Sequence, residues 1–421
     1  MPRVLIVAET TGYQTRAFEE AARACGVDLV YATNHCGGLD DPWRDGAVSV
    51  HSDEPEAAVA AVRALAAARP LDGVLAVGDR PAELAAWIAE GLGLPFHPPG
   101  AAGVARSKVL TRGRLLAGGL PVPWFFTMPR EAGLDAVVDR LRFPCVVKPL
   151  ALSASRGVMR ANDPREFEAA ASRLRRLLDA PDIRVLDDPA HDEILVEGFV
   201  EGREFALEGL LDHGLLRVLA IFDKPDPLDG PIFEETIYVT PPPLAFDAQR
   251  LIAATIAHAA TAIGLTHGPI HAECRVNARG VFVLEVAARP IGGLCARALR
   301  FARGDRTGVP LEELLLRFAA GESMEGYGRE AAASGVMMLP VPGLGRFRAV
   351  RGIDEARAVA GVTDLVITAR PGQLIEPLPE GHSYPGFVFA RGESADAVVA
   401  ALREAHAALR FELDRVIALD R

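Results

Sequence analysis

The sequence predicts a doubly wound α/β domain at the N-terminus followed by a longer α+β region. Three observations lead there. Short apolar runs (Val4–Ala8, Asp28–Thr33, Gly73–Gly78) alternate with amphipathic segments (Thr15–Cys25, Glu54–Arg69), and this β-α-β rhythm implies a parallel sheet. The middle of the chain is rich in strands and ends in a hairpin. From about Ser334, strands and helices alternate again as a small α+β unit.

In doubly wound sheets ligands bind at the carboxyl ends of the strands, where Glu9-Thr-Thr-Gly12 and Gly78-Asp-Arg80 fall. No Gly-x-Gly-x-x-Gly follows the first strand, so a dinucleotide site is not supported and Gly12 reads as a turn glycine. Three prolines between Pro95 and Gly100 punctuate the end of this domain. A helix over Ser107–Ala117 comes next. The prolines of Leu120-Pro-Val-Pro-Trp124 restrict that stretch to an edge strand or an extended entry. Phe143-Pro-Cys-Val-Val-Lys148-Pro149 is a strand ending in a lysine. Ala151-Leu-Ser-Ala-Ser-Arg-Gly157-Val158 is too small and hydroxylated to pack a core, and reads as a loop able to approach a ligand closely. Ile194–Val200 and Phe205–Leu211 are strands around Glu201-Gly-Arg-Glu204. A section holding Phe222-Asp-Lys-Pro225 and Phe233-Glu-Glu235 leads through a helix, Asp247–Ile263, to the hairpin. Leu294–Phe301 and Leu311–Ala320 read as helices. The last unit has strands at Leu365–Ala369 and Phe387–Ala390 and helices at Ile353–Val359 and Ala395–Leu409.

Composition narrows the functional classes. A formal charge of −11 over 421 residues, with no Lys/Arg run, argues against a nucleic-acid surface. Lysines are few beside arginines, so each lysine stands out. The five cysteines are scattered without a C-x-x-C pair, which favours reduced thiols and a cytoplasmic setting. No stretch approaches a membrane span, and the N-terminal apolar run is too short for a signal peptide.

The hairpin in Gly268–Leu294 carries the sharpest chemical signal. A three-residue loop, Ala278 to Gly280, sets Glu273 directly opposite Glu285. His271, Arg275, Val281, Val283 and Ala287 then share that face, and Cys274, Phe282, Leu284 and Val286 form the buried one. Two carboxylates about 5 Å apart across a ladder repel unless a cation lies between them. An all-oxygen donor set suits Mg²⁺. In the alternative, Arg275 pairs with one of the glutamates on a solvated face. A lysine ending a strand, a Ser/Gly loop beside it and two facing acids are the groups needed to neutralise and position a nucleoside triphosphate. No Gly-x-Ser-x-Gly or Cys–His signature offers a nucleophile.

Taken in this order, the motifs resemble the ATP-grasp superfamily and, within it, the L-amino-acid ligases (dipeptide synthetases). The resemblance implies an N-terminal Rossmann-like domain over residues 1–99, an ATP-grasp domain over 100–333 with a flexible part at about 120–200, and a small C-terminal domain over 334–421. It implies that Lys108 and Lys148 hold phosphates, and that Ser153, Ser155 and Gly157 form the loop closing over them. Glu197, Gly198, Phe199 and Val200 match the hinge strand whose backbone reads adenine, and Glu204 the acid on the ribose. Glu273 and Glu285 match the metal carboxylates, for Mg²⁺ or Mn²⁺ with ATP. Arg289 matches the arginine that steadies the transferred phosphate, with Gly292 and Gly293 offering N–H groups to an oxyanion. His271, Glu234 and Glu235 are the substrate-facing candidates. Many ATP-grasp enzymes carry Asn two residues after the second acid; here that position is Ala287, so one ligand is missing. The implied activity is an ADP-forming carboxylate–amine ligase acting on small carboxylates and amines, chiefly amino acids. The alternatives are a carboxylase or purine-pathway-type ligase, or a nucleotide-binding protein without turnover. Many relatives are homodimers.

Overall fold

The computed structural model describes residues 1–9, 13–34 and 46–416, so Thr10 to Gly12 and Cys36 lie outside the described residues. Arg3–Ala8 (β1), Tyr13–Cys25 (α1), Asp28–Thr33 (β2), Ala47–Ser49 (β3), Pro55–Ala68 (α2), Gly73–Val77 (β4) and Asp79–Leu92 (α3) build the first layer. Its sheet is parallel in the order β3-β2-β1-β4. β1, apolar from Val4 onward, is buried along its whole length, as a strand covered by helices on both faces must be. Pro99–Arg106 (α4) and Lys108–Ala117 (α5) follow, and the Ser107 hydroxyl caps α5 by accepting from the Leu110 N–H.

Leu120–Trp124 stays extended and leads into a second, antiparallel sheet. Its elements are Phe125–Pro129 (β5), Cys145–Pro149 (β6), Met159–Ala161 (β7), Pro164–Leu178 (α6), Pro181–Arg184 (α7) and Glu193–Gly198 (β8), in the strand order β5-β8-β6-β7. This unit has a core of its own, with Val147, Phe167, Leu174 and Val196 inside it.

The remaining elements are Arg203–Asp212 (β9), Leu215–Asp223 (β10), Ile237–Thr240 (β11), Phe246–Ile263 (α8), Gly268–Asn277 (β12), Gly280–Ala287 (β13), Arg300–Arg303 (β14), Arg306–Pro310 (β15), Leu311–Ala319 (α9), Gly328–Arg329 (β16) and Ala333–Met338 (β17). Gly345–Arg351 (β18), Ile353–Ala358 (α10), Val362–Ile367 (β19), Leu374–Ile375 (β20), Gly386–Gly392 (β21), Ala395–Ala408 (α11) and Arg410–Asp414 (β22) complete the chain. One eight-stranded sheet runs β13-β12-β9-β10-β11-β17-β21-β19, so strands beyond residue 333 extend the sheet that carries the hairpin. Among the described residues no helix is long and apolar enough to cross a membrane.

Two expectations are corrected. Leu294–Phe301 is not a helix: a single 3₁₀ turn, Cys295–Ala298, gives way to β14. Leu294, Ala298 and Phe301 recur at helical spacing, but pairing of Phe301 with Val309 across β14 and β15 prevails. The hairpin loop has two residues, Ala278 and Arg279, between the paired Asn277 and Gly280. A bulge at Leu284 then restores the opposition of Glu273 and Glu285. The bulge reverses the alternation beyond it, so Val281 and Val283 pack in the core with Cys274 and Val286, while Leu284 faces the cleft.

Candidate active site

β9 and β12 pair so that opposite charges face each other. Glu204 lies across from Arg275 and Glu208 across from His271. Arg275 Nε donates to Glu204 at 2.8 Å, so Arg275 neutralises this acid and neither hairpin glutamate. His271 Nδ1 lies 3.1 Å from the fully buried Glu208, and its Nε2 lies 3.6 Å from Glu273. Burial would lower the imidazole's pKa, but these two carboxylates push it up to about 9.

Lys224, just past the end of β10, was not assigned a role from sequence. Its ammonium donates to Glu204 at 2.7 Å, Glu235 at 2.6 Å and Glu273 at 2.8 Å. The Tyr238 hydroxyl reaches Glu235 at 3.0 Å and Glu273 at 3.1 Å. Burial raises Glu235 to about 7; Lys224 pulls it down and the neighbouring acids push it up. Glu285, opposite Glu273, has no ion-pair partner among the described residues. The hairpin therefore offers one carboxylate already served by an ammonium and one left open, all oxygen donors. That chemistry fits a hard divalent cation, and Ala287 contributes nothing to it.

The facing wall comes from α5, β6 and β8. Lys108 and Arg112 are four residues apart on one face of α5. Lys108 Nζ donates to the Leu152 carbonyl at 2.6 Å, at the root of the Ser/Gly loop. Arg112, fully buried, grips both Glu197 oxygens at 2.9 and 3.2 Å and donates to the carbonyl of the bulge residue Leu284 at 2.8 Å. Lys148 adds a third bond to Glu197 at 2.5 Å. Burial alone would raise Glu197, yet Arg112 and Lys148 bring it down to about 2. Burial lowers Lys148 to about 8, because Glu197 is already shared with Arg112 and offsets only part of the cost. The end of β8 and the residues after it are fixed at both sides: Gly198 N–H donates to the Trp124 carbonyl, Phe199 N–H to the Pro144 carbonyl, and the Val200 carbonyl accepts from Arg275.

Arg289 leaves β13 and meets Asp79 at the start of α3, at 2.7 and 3.1 Å. The carboxyl end of β4 thus does contribute to the site, through Asp79. Burial works against the guanidinium's charge and Asp79 raises its pKa. Glu208 also accepts from the Ile291 N–H, which anchors the turn before Gly292 and Gly293.

These walls enclose a cleft of about 380 Å³. It is lined by Lys108, Lys148, Ser153, Ser155, Glu197, Gly198, Phe199, Val200, Glu204, Glu235, His271, Glu273, Glu285, Arg289, Gly292 and Gly293. Gly157 and Glu234 are not among its lining. Gly157, at φ +75°, donates its N–H to the Pro379 carbonyl instead, and Glu234 accepts from the Val341 N–H. Arg112, Lys224, Glu208, Tyr238 and Asp79 complete the charge network and went unassigned from sequence. One signal was available: the sequence holds three lysines, and all three reach this site.

Three family models match the chain in sequence: the ATP-grasp N-terminal domain over residues 18–96, the ATP-grasp domain over 141–298 and the L-amino acid ligase C-terminal domain 2 over 337–414. The crystal structure of an L-amino acid ligase from Bacillus licheniformis superposes with a TM-score of 0.81 at 28% identity, covering 99% of each chain. A D-alanine--D-alanine ligase of Ralstonia pickettii is 26% identical over 247 residues, covering 56% of this chain and 70% of its own. Carnosine synthase 1 of Homo sapiens is 28% identical over 311 residues, 70% of this chain but only 37% of the human protein. The chain is therefore an ATP-grasp protein in three parts: an ATP-grasp N-terminal domain, an ATP-grasp domain and an L-amino acid ligase C-terminal domain.

Proposed function

We propose that this protein is an ADP-forming ligase that joins the carboxylate of one amino acid to the amine of another. The observation that carries the reading is the convergence, in one cleft, of Lys148, Glu273, Glu285 and Arg289 in a chain that ends in an L-amino acid ligase domain. ATP phosphorylates the first carboxylate; the second substrate's amine attacks the acyl phosphate, and phosphate leaves.

Lys108 and Lys148 hold the phosphates, with Ser153 and Ser155 on the loop above them. The hinge from Glu197 to Val200 lies beside the base. Glu204 serves the ribose; its carboxylate still has acceptor capacity beyond Lys224 and Arg275. Glu273 and Glu285 would hold Mg²⁺, which when bound would draw charge from the phosphates and the developing transition state. Arg289, held in place by Asp79, steadies the phosphate in transfer. Gly292 and Gly293 direct N–H groups at the oxyanion. Glu235, raised to about 7, is suited to take the proton that the amine releases. Closure of the Ser153 loop keeps water from the acyl phosphate.

The test is ADP and phosphate release with ATP and Mg²⁺ across a matrix of paired amino acids, with products identified by mass spectrometry. A product lighter than its two substrates by one water establishes amide ligation. ADP release that needs bicarbonate and no amine would instead assign a carboxylase.

A further inference from the structure

The cleft extends beyond the reacting groups into an arm between α1 and α9. Gln14, Ala17 and Phe18, spaced i, i+3, i+4, line it from α1, and Leu311, Glu312 and Leu315 line it from α9. Phe18, Leu311 and Leu315 are buried apolar walls. Glu312 among them is only 8% exposed and has no ion-pair partner within 4 Å among the described residues. Its carboxylate accepts from its own backbone N–H and, among the described residues, from no side chain. The charges that act on it most are Arg300, Arg297 and the like-charged Glu20 on α1. Both arginines are engaged elsewhere: Arg297 with Asp364 at 2.6 Å, Arg300 with the carbonyls of Arg297 and Leu299. The adjacent Glu313, by contrast, is held by Arg306 and Arg317. Burial pushes the Glu312 carboxyl above its ordinary value, as expected of an anion awaiting a counter-charge.

We propose that this arm is a side-chain pocket for a basic amino acid, with the aliphatic stem between α1 and α9 and the cationic head on Glu312. The inference rests on the ligase reading and names one of its two substrates. Recognition of the α-ammonium does not account for the arm. The α-ammonium lies next to the reacting carboxylate, where Glu235 and Glu273 already stand, whereas the charges that act most on Glu312 are Arg300, Arg297 and Glu20, with neither of those acids among them. A buried acid left unpaired by a neutral side chain discriminates strongly, because the site then holds an uncompensated group.

The test compares lysine with norleucine, which has the same stem without the ammonium, in the full-length protein. Both ADP release and calorimetric binding in the presence of a non-hydrolysable ATP analogue are measured. Wild type should favour lysine in kcat/KM by at least about tenfold. Glu312→Gln should erase that ratio through KM while leaving norleucine turnover within about twofold. Glu312→Asp should restore part of it. Equal use of lysine and norleucine by wild type overturns the inference and leaves the ligase reading standing. An equal rise in KM for every amino acid in Glu312→Gln also overturns it, by making Glu312 an α-ammonium reader. If the variants fail to fold, the wild-type ratio alone decides. Absence of ADP release with every amino acid defeats the ligase reading, and this inference with it.

Discussion

Lys148 is a cation held against its environment. Burial brings its pKa from 10.5 to about 8, and Glu197 recovers only part of that loss because Arg112 competes for the same carboxylate. If its charge holds a phosphate, kcat/KM for ATP falls about tenfold per pH unit above pH 8. Stability moves the other way. Between pH 8 and 10.5 the unfolded chain carries more protons on this lysine than the folded one, so its contribution to stability rises with pH. An alkaline loss of activity without a loss of ellipticity would place the effect in the cleft, where His271 also titrates at about 9, and removal of that limb by Lys148→Arg, always charged, would assign it to Lys148. Lys224 is the reverse case, a cation that three carboxylates hold well above its ordinary value despite burial. Lys224→Met leaves Glu204, Glu235 and Glu273 facing one another, at a cost of about 3–5 kcal/mol. Urea unfolding measures this loss. Millimolar Mg²⁺ should restore part of it, since Glu273 would regain a positive neighbour; no recovery would argue against Glu273 as a ligand.

At the scale of elements, Arg112 ties β8 to the bulge in β13, with α5 as the rigid bar between them. Arg112→Met should cost about 3–5 kcal/mol in urea unfolding, because Glu197 and Lys148 lose the third member of a buried network. The same variant should raise KM for ATP. A normal KM with lowered stability would confine Arg112 to a structural role. Elements that own a pattern were legible in the sequence: the β-α-β rhythm, the helix over Ser107–Ala117 and the opposition of Glu273 and Glu285. What depends on a residue far along the chain was not. Arg112 and Glu197 are 85 positions apart and Arg289 and Asp79 are 210, and nothing local marks either pair. Lys224 was legible only through the scarcity of lysine in a chain that otherwise uses arginine. The opposition of Glu273 and Glu285 came out right although the loop was one residue shorter than expected, because the bulge at Leu284 replaced the lost residue. Leu294–Phe301 was misread because helical spacing over eight residues does not exclude a turn followed by a strand.

Across the whole molecule, the C-terminal region is part of the cleft's architecture. Pairing of β11 with β17 carries the central sheet past residue 333, and Tyr384 contributes to the cleft wall. From the same region, the Pro379 carbonyl accepts from the Gly157 N–H at 2.9 Å, and the Glu380 carbonyl accepts from Arg156 Nε at 2.9 Å. Arg173 on α6 grips the Glu380 carboxylate at 2.6 and 2.8 Å. The Ser153–Gly157 loop is thus strapped to the C-terminal region, and on the ligase reading this is where it would move to admit and release nucleotide. Arg173 and Glu380 are each roughly a third exposed, so their ion pair adds under about 1 kcal/mol to global stability. Its effect should instead be local. Glu380→Ala should leave the urea midpoint nearly unchanged while cleavage by a nonspecific protease within residues 151–158 accelerates several-fold. An ATP analogue with Mg²⁺ should suppress that cleavage in both proteins, because the closed loop would then be held by phosphate as well as by the strap. If Glu380→Ala lowers the midpoint and the loop resists cleavage as in wild type, the contact is a structural seam of the two domains and the loop moves independently of it.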